Sequence, residues 1–558
     1  MKSRHGRDAE PEGIVSNRCG RREFLRAAGV GIAGALALGA DRALGQAERE
    51  HDLVLKGGTV VDGLGAPART ADLAVSTGRI AAVGDGLNGK TEVDCAGKLV
   101  CPGFVDIHTH LDLACWPTVV DIPMPPLSGA YPEPFYRMML EQGVTTVLAG
   151  NCGYSVSDIA AHLSSMETDK PAFNYATLVG LATLRDAATA GQDAMAGLRA
   201  ALESGAFGLS VNLASGPAAE APVEELIAPT RLLGAHEGAL LAVHRRTEDR
   251  DLEKSTAEAI TLGRMSGAPL QISHMRARTA PAWTQAQAAY DLVAAAAAAG
   301  LDISADMYVH PGGGMTVPMA YLPPEYWSGD YQARLKAKSR DAALLQYVAQ
   351  RVADIDPTMF YPRCLGWEGM IDYDLVRLLM LRRKPAQVPN MIELIVDLAI
   401  DDNGRVPGTD VPSMGINMLE MQPDDIATAV KLPFMMIASD AGGPSSGDSR
   451  SLFPWCLTNS TRVLSLLSGE GNALTYEEAV RKMSSMPADR LGLGDRGRIS
   501  VGAVADLVVV DPKKVRDTSS PTTLPRPAGI ERVFVNGEQV VEAGKYNGAR
   551  AGKVLRRA

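Results

Sequence analysis

The sequence predicts an α/β fold: a (β/α)8 TIM-like barrel, a small β-sandwich built from both terminal segments, and an inserted subdomain before the last barrel strand. Three observations predict it. About eight short apolar runs alternate with helix-like segments through the middle of the chain. Strand–turn–strand patterns flank that region on both sides, and one long gap, residues 312–431, interrupts the alternation.

Residues 1–45 are expected to be a leader outside the fold. Arg21 and Arg22 precede Phe24-Leu25, an apolar run and then small residues up to Gly45. This order is typical of a twin-arginine export signal that is removed on export. The mature protein is therefore expected to be periplasmic or secreted.

The predicted sandwich combines residues 50–101 with residues 497–550. "HDLVLKGGTVVDG" and "ADLAVSTGRIAAVGDG" in the first part alternate apolar and polar residues around glycine turns. "GAVADLVVVDP" and "IERVFVNGEQVVEAGKY" repeat the pattern in the second part. Two such segments, far apart in the chain, are expected to complete one small β unit.

The barrel is predicted for residues 102–496. Its apolar runs are "GFVDIHTH", "TTVLAGNCG", "FNYATLVG", "FGLSVNL", "ALLAVHRR", "PLQISHMRA", "DISADMYVH" and "FMMIASD". Nearly continuous apolar strands separated by helices favour a parallel sheet buried on both faces, and eight of them favour a closed barrel. An open doubly wound sheet would have a glycine-rich phosphate turn after its first strand, where this chain has His-Thr-His. Thr475 and Glu478 form a predicted capping box at the last barrel helix.

The gap at about 312–431 is predicted to be an inserted subdomain. It contains helix-like stretches such as "SRDAALLQYVAQRVADI" and "PNMIELIVDLAIDD". A connection of this length is too long for a simple loop. In a barrel it would lie over the carboxyl ends of the strands.

Composition narrows the class of partner. The 558 residues carry a formal net charge of −10, which argues against nucleic acid and against a membrane surface beyond the export signal. The seven cysteines show no CxxC pair and no dense framework, so a disulfide scaffold is not expected. A small-molecule substrate is the expected partner, and the sequence leaves the oligomeric state open.

Six residues that can bind metals follow the ends of predicted barrel strands. They are His108, His110, Cys152, His244, His274 and Asp440. All strand carboxyl ends of a parallel barrel share one face, where barrel enzymes hold their active sites. Imidazole, thiolate and carboxylate are the ligands that zinc prefers. The sequence therefore predicts a Zn²⁺ site with Cys152 as a ligand.

Several motifs resemble the amidohydrolase superfamily: "PGFVDIHTH", "VHRR", "SHMR", the final-strand "SD" and "GAVADLVVVD". Within it, "GVTTVLAGNCGYS" and "LDISADMYV" are similar to the N-acyl-D-amino-acid deacylases, or D-aminoacylases. The resemblance implies that Cys152, His244 and His274 hold a tightly bound zinc. It implies a second, weakly filled position at His108, His110 and Asp440.

The same resemblance suggests substrate contacts. Tyr308 matches a tyrosine expected to hydrogen-bond the substrate, and Arg450 is the candidate for gripping the substrate carboxylate. The chain departs from the group at Leu111, at Leu181 and in "GDSR", which lacks the usual His-Pro.

The predicted activity is zinc-dependent hydrolysis of a C–N amide bond, most simply of an N-acyl-D-amino acid to a carboxylate and a free D-amino acid. Asp440 is the expected catalytic group, accepting a proton from water and returning it to the leaving nitrogen. Three alternatives stay open: an amidohydrolase of another linear or cyclic amide, a deaminase, and a metal-binding homologue without catalysis.

Overall fold

The computed structural model describes residues 50–112, 133–189, 191–214, 221, 223–315, 321–323, 326, 331–338, 341–354, 360–362, 385, 387–400, 416–419, 421–442, 454–469, 472–518 and 526–557. The predicted export signal, residues 1–45, and Arg450 lie outside the described residues.

The described strands, in chain order, are β1 His51–Val60, β2 Arg69–Ser76, β3 Arg79–Gly84, β4 Gly89–Asp94, β5 Leu99–Pro102, β6 Phe104–Asp106, β7 Thr109–His110, β8 Val144–Ala149, β9 Asn174–Thr177, β10 Val179–Gly180, β11 Gly208–Asn212, β12 Leu240–His244, β13 Leu270–Ile272, β14 Ile303–Met307, β15 Gly312–Met315, β16 Phe360–Pro362, β17 Ile416–Leu419, β18 Met435–Ile437, β19 Ala441–Gly442, β20 Leu507–Val510, β21 Ile530–Val535, β22 Glu538–Glu542 and β23 Lys545–Tyr546.

The described α-helices are α1 Glu133–Leu140, α2 Ile159–Asp169, α3 Leu181–Thr189, α4 Ala194–Glu203, α5 Ile227–Gly234, α6 Leu252–Ser266, α7 Ala280–Trp283, α8 Ala286–Ala298, α9 Tyr331–Lys338, α10 Ala342–Asp354, α11 Val388–Ile400, α12 Pro423–Ala429, α13 Pro454–Arg462, α14 Tyr476–Met483 and α15 Ser485–Arg490. Across this described part of the chain, no helix is both long and apolar enough to span a membrane. The capping box predicted at Thr475 and Glu478 is present at the start of α14.

Eight parallel strand positions form the predicted barrel. β6 pairs with β8 and β8 with β9; after Leu178 the third strand continues as β10, which pairs with β11. The order then runs through β12, β13, β14 and β18, all parallel. β19 finally pairs with β7, the continuation of the first strand, so the sheet closes on itself. The predicted barrel is therefore confirmed.

The barrel strands are apolar on both faces because each face packs against a different core. In β12, Leu241 and Val243 pack in the large core that includes the surrounding helices, whereas Leu240 and Ala242 pack in a separate interior cluster. Successive side chains of a strand point to opposite faces, so both sets must be apolar. This double burial explains the continuous apolar runs in the sequence.

The two terminal segments build one β unit, as the fold prediction required. β20 pairs antiparallel with β5, which joins the strands of residues 51–102 to those of residues 507–546. The nine strands form one continuous hydrogen-bonded sheet. An antiparallel bridge between Arg79 and Val504 links its two segments again, and the sheet has a separate hydrophobic core.

The inserted segment leaves the barrel after β14 and returns before β18. Its described strands β15, β16 and β17 form a three-stranded antiparallel sheet, and α9, α10 and α11 belong to the same segment. The insertion therefore starts at the carboxyl end of the seventh barrel strand, on the face that carries the predicted metal ligands.

The turn that follows β8 depends on glycine. Gly150, Cys152 and Gly153 all have positive φ angles of 73°, 52° and 79°. The turn packs directly on β10, so that a Cβ added at Gly180 would lie 2.3 Å from the carbonyl oxygen of Gly153. Side chains at this contact would therefore displace the backbone that carries Cys152.

We expect Gly180→Ala to lower the free energy of unfolding by about 1–3 kcal/mol, because the added methyl group overpacks a backbone contact. It should also lower the bound metal content, since Cys152 moves with the turn. Urea unfolding and elemental analysis measure the two effects. Gly494→Ala is the control, because an added Cβ there has nothing within 4 Å; equal effects of the two substitutions would contradict this account.

Candidate metal centre

The structure brings the six predicted metal-site residues together at the carboxyl ends of five barrel strand positions. His110 lies in β7 and His244 ends β12, whereas His108, Cys152, His274 and Asp440 lie just beyond β6, β8, β13 and β18. His108, His110, Cys152, His274 and Asp440 are buried, and His244 is partly buried.

The sulfur of Cys152 is surrounded by imidazole nitrogens. Its Sγ lies 3.3 Å from Nε2 of His108, 3.4 Å from Nε2 of His274 and 3.4 Å from Nδ1 of His244. The rings of His244 and His274 are also in contact, edge to face, with centroids 4.4 Å apart. Cys152 therefore lies at the centre of the cluster.

A carboxylate oxygen forms the other half of the cluster. Oδ1 of Asp440 lies 3.3 Å from Nε2 of His108 and 3.3 Å from Nε2 of His110. This oxygen is buried, and no described residue gives it a hydrogen bond of good geometry. The Nε2 atom of His108 therefore stands between the sulfur of Cys152 and the oxygen of Asp440.

These separations fit donor atoms that share a metal ion. In a tetrahedral zinc site, bond lengths of about 2.0–2.3 Å place neighbouring ligand atoms roughly 3.3–3.6 Å apart. Two groups have all their donor atoms within 4.8 Å of one another: His108, Cys152 and His274, and His108, His110 and Asp440. The buried oxygen of Asp440 and the mixed N, O and S donors therefore fit a metal ion of the zinc type.

A second carboxylate orients two of the imidazoles. Asp306, in β14, accepts a hydrogen bond from Nδ1 of His108 at 2.9 Å and from the backbone N–H of His274 at 2.8 Å. Gln271 donates to its other oxygen at 2.7 Å. Because Nδ1 of His108 is held by Asp306, its Nε2 faces the cluster with a lone pair available for a metal.

Glu248 does the same for His274. Its Oε1 lies 2.6 Å from Nδ1 of His274, and its Oε2 accepts a hydrogen bond from Nε of Arg276 at 2.8 Å. Burial by itself raises the pKa of Glu248, but Arg276 and His274 hold it well below its ordinary value. Glu248 is therefore an ionised acceptor that fixes the orientation of His274.

The acidic groups and the imidazoles of this site shift each other's pKa values. Burial opposes ionisation of Cys152, but His108, His274 and His244 hold the pKa of its thiol well below the ordinary value. Burial lowers the pKa of His274, but Glu248 and Cys152 outweigh it and raise that pKa to about 9. The same negative charges that hold a proton on an imidazole would stabilise a metal cation in its place.

Asp440 is affected in the same way. Burial raises the pKa of its carboxyl group, but His108 and His110 outweigh this effect and hold the pKa below its ordinary value. Asp440 is therefore ionised at neutral pH and can accept a proton.

Three site residues have strained backbones. Cys152, His274 and Asp440 have φ angles of 52°, 30° and 52°, in the left-handed region that residues other than glycine rarely adopt. Such conformations cost of order 1–3 kcal/mol each and persist where the surrounding structure enforces them. Their concentration at one cluster is typical of a functional site.

Tyr308 lies just after β14, two residues beyond Asp306. It is buried, and its hydroxyl has no hydrogen-bond partner among the described residues. Its ring stacks on Trp455 with centroids 5.1 Å apart and an angle of 7°, and the guanidinium of Arg276 lies 4.9 Å from the ring centre. Its role in substrate binding stays a prediction, as does that of Arg450, which lies outside the described residues.

The sequence analysis missed the carboxylates that support the ligands. Asp106 accepts backbone hydrogen bonds from His108 at 3.2 Å and from Ser439 at 3.0 Å, joining the first and last strands. Asp106 and Asp306 did leave a signal, since each is an acidic residue inside an apolar strand and needs a buried partner. Glu248 left none, because it follows its strand in a loop of alternating charges, "RRTEDR".

Comparison with known sequences identifies the family. Residues 339–541 match the amidohydrolase family. The chain is 30% identical over 549 residues to an N-acyl-D-glutamate deacylase of Alcaligenes xylosoxydans xylosoxydans, covering 91% of this chain and 97% of the relative. It is also 30% identical to a D-aminoacylase of the same organism over 91% of this chain and 98% of that protein.

Solved structures agree with the sequence comparison. The crystal structure of N-acyl-D-glutamate deacylase from Bordetella bronchiseptica, complexed with zinc and a phosphonate inhibitor, is 27% identical. It matches 91% of this chain and all of that chain, with a TM-score of 0.69. A D-aminoacylase structure is 28% identical with a TM-score of 0.68 over the same shares of the two chains. The protein belongs to the amidohydrolase family and is a metal-dependent amidohydrolase.

We expect Glu248→Gln to weaken metal binding by about 10–100-fold, the usual cost of losing a partner that orients a ligand. The amide keeps the size of the side chain but removes the charge that fixes His274. Competition with a metal chelator measures the change. Glu258→Gln is the control, because Glu258 pairs with Arg246 and with no predicted ligand; a Glu248→Gln protein with unchanged affinity would contradict the assigned role.

Proposed function

We propose that this protein is a zinc-dependent N-acyl-D-amino-acid deacylase, releasing a carboxylate and a free D-amino acid. The observation that carries the proposal is the cluster of Cys152 with three imidazole nitrogens at 3.3–3.4 Å, in a chain 28–30% identical to three deacylases of this kind. They are N-acyl-D-glutamate deacylase, D-aminoacylase and N-acyl-D-aspartate deacylase, each matched over 91–92% of this chain. The zinc complex of a structural neighbour supports the choice of metal.

The residues of the metal centre have separate roles in the proposed hydrolysis. His108, His110, Cys152, His244 and His274 would hold the metal, with Asp440 completing the set. A metal ion there would make water acidic enough to supply hydroxide at neutral pH and would polarise the amide carbonyl.

Asp440 performs the proton transfers in the proposed mechanism. Its ionised carboxylate, whose buried Oδ1 receives no hydrogen bond of good geometry from the described residues, accepts the proton of the attacking water and returns it to the leaving nitrogen. Tyr308 offers a buried hydroxyl with no partner among the described residues, which can donate a hydrogen bond to the substrate. Proton return matters because an amide nitrogen is a poor leaving group until it is protonated.

The proposal predicts hydrolysis of N-acetyl-D-glutamate, N-acetyl-D-aspartate or N-acetyl-D-leucine with kcat/KM at least about 100-fold above that for the L enantiomer. Release of the free amine, measured on protein of known metal content, tests it. Equal rates for the two enantiomers, or hydrolysis only of cyclic amides, would mean a different amidohydrolase. Metal-loaded protein that hydrolyses no amide would contradict catalysis altogether.

Cys152→Ala should remove bound zinc and lower kcat/KM by more than the 10–100-fold that loss of a supporting group costs. Zinc content and activity are measured on the same sample. Cys95→Ala is the matched control. Cys95 is buried in the core of the terminal sheet, so the Cys95→Ala protein should keep its zinc. Full zinc content in the Cys152→Ala protein would show that the thiolate is no ligand.

We also propose that the protein is exported in folded form by the twin-arginine route. The support is the order Arg21-Arg22, Phe24-Leu25, apolar run and small residues. Replacing Arg21 and Arg22 by Lys should retain the protein in the cytoplasm, as measured by cell fractionation. Arg18→Lys is the control outside the pair, and normal export of the doubly substituted protein would refute the proposal.

A further inference from the structure

The segment that follows β12 contacts both the metal centre and the insertion. Glu248 binds Nδ1 of His274 through Oε1. The next two residues in the chain, Asp249 and Arg250, form ion pairs with α10 of the inserted segment. Glu248, which orients His274, therefore lies only two residues before Arg250, the farther of the two residues that contact the insertion.

The contact with α10 is a well-formed ion pair. Nε of Arg250 donates to Oδ2 of Asp354 at 2.8 Å, and Nη2 of the same arginine bonds Oδ1. The side chain of Asp354 is only 4% exposed, and Gln350 donates to it at 3.1 Å. The Arg250 side chain is 51% exposed, but two parallel hydrogen bonds to a buried carboxylate fix both distance and angle better than a single contact does.

A second pair runs beside the first with the opposite polarity. Nη1 of Arg351 lies 3.1 Å from Oδ2 of Asp249. In one pair the insertion supplies the acidic residue, Asp354, and in the other it supplies the basic residue, Arg351. Crossed charges of this kind specify a single register, because a shifted helix would bring like charges together.

Asp354 contacts both its own helix, through Gln350, and the segment after β12, through Arg250. It lies in the last turn of α10, where the negative end of the helix dipole disfavours an acidic residue. The contact with Arg250 therefore offsets an unfavourable position of Asp354 at the end of its helix.

Glu248 is held on the barrel side by its side chain, whose Oε2 accepts a hydrogen bond from Arg276 at 2.8 Å, and by its backbone. Its carbonyl oxygen accepts a hydrogen bond from the backbone N–H of Arg278 at 3.0 Å, beyond β13. The two ion pairs with α10 supply the anchor on the other side. A carboxylate that orients a metal ligand must be held to within about 0.5 Å, so contacts on both sides of its segment contribute to its position.

We propose that Asp354 and Arg351 of the inserted segment are positioning residues of the metal centre, acting through Arg250, Asp249 and Glu248 on His274. Docking of α10 and ordering of the ligand His274 are then coupled, so that the insertion contributes to metal affinity without touching the metal. The inference rests on the metal site of the proposed function but not on the identity of its substrate.

The test titrates Co²⁺ into protein stripped of metal by a chelator and follows the thiolate-to-cobalt charge-transfer absorption. Asp354→Asn is expected to weaken Co²⁺ binding about 10-fold, the lower end of the range for lost supporting contacts. Asp517→Asn is the control, because it removes a carboxylate that is 8% exposed from an ion pair with Arg462, whose Nε donates to the carbonyl oxygen of Val309. Thermal unfolding of the metal-free proteins measures the structural cost of each change.

The decisive comparison is the double substitution. If Asp354 acts through Glu248, the Asp354→Asn change should have little further effect on Co²⁺ affinity in the Glu248→Gln protein. Equal effects of Asp354→Asn in the two backgrounds would overturn the proposal, as would unchanged Co²⁺ affinity or a loss no larger than that of Asp517→Asn.

Arg351→Gln applies the same test if the Asp354→Asn protein does not fold, because it leaves the pair between Arg250 and Asp354 intact. The substrate does not enter any of these measurements. Protein that binds Co²⁺ as described but hydrolyses no N-acyl-D-amino acid would therefore contradict only the proposed function.

Discussion

The site depends on concentrating negative charge inside a closed barrel. Cys152, Asp440, Asp306 and Glu248 are all buried, and imidazoles surround the first two. Buried charge without a partner is very costly, so this arrangement is stable only if protons or a metal cation provide the opposite charge. Each of the four groups lies at the mouth of the barrel because that is where parallel strands deliver their carboxyl ends.

The barrel provides the rigidity that such a site needs. Asp106 accepts backbone hydrogen bonds from Ser439 and His108, so the first and last strands are joined beside the ligands. Asp306 likewise links the strand of His108 to that of His274. These carboxylates therefore connect different strands of the barrel and also orient the imidazoles. The left-handed backbones of His274, which is bonded to Asp306, and of Asp440, which follows Ser439, lie at these junctions.

Aromatic and charged contacts connect the metal cluster to the residues around it. Tyr308 stacks on Trp455 in α13, and Arg276 contacts both its ring and Glu248. Asp354 of the inserted segment pairs with Arg250, which lies two residues after Glu248 in the loop that follows β12. A barrel enzyme changes its substrate by changing such connections while its strand ends stay fixed.

The sequence by itself determined the barrel and the six converging side chains. Eight apolar runs predicted strands buried on both faces, and residues that end parallel strands must share one rim, so His108 and Cys152 could be placed together without coordinates. Tertiary structure alone decided which imidazole nitrogen faces the sulfur, because that depends on Asp306 and Glu248. The roles of Glu248 and Asp354 could not be inferred, since a polar loop residue and a helix-end residue 106 positions apart carry no shared periodic signal, and only packing of the insertion brings its helix to that loop.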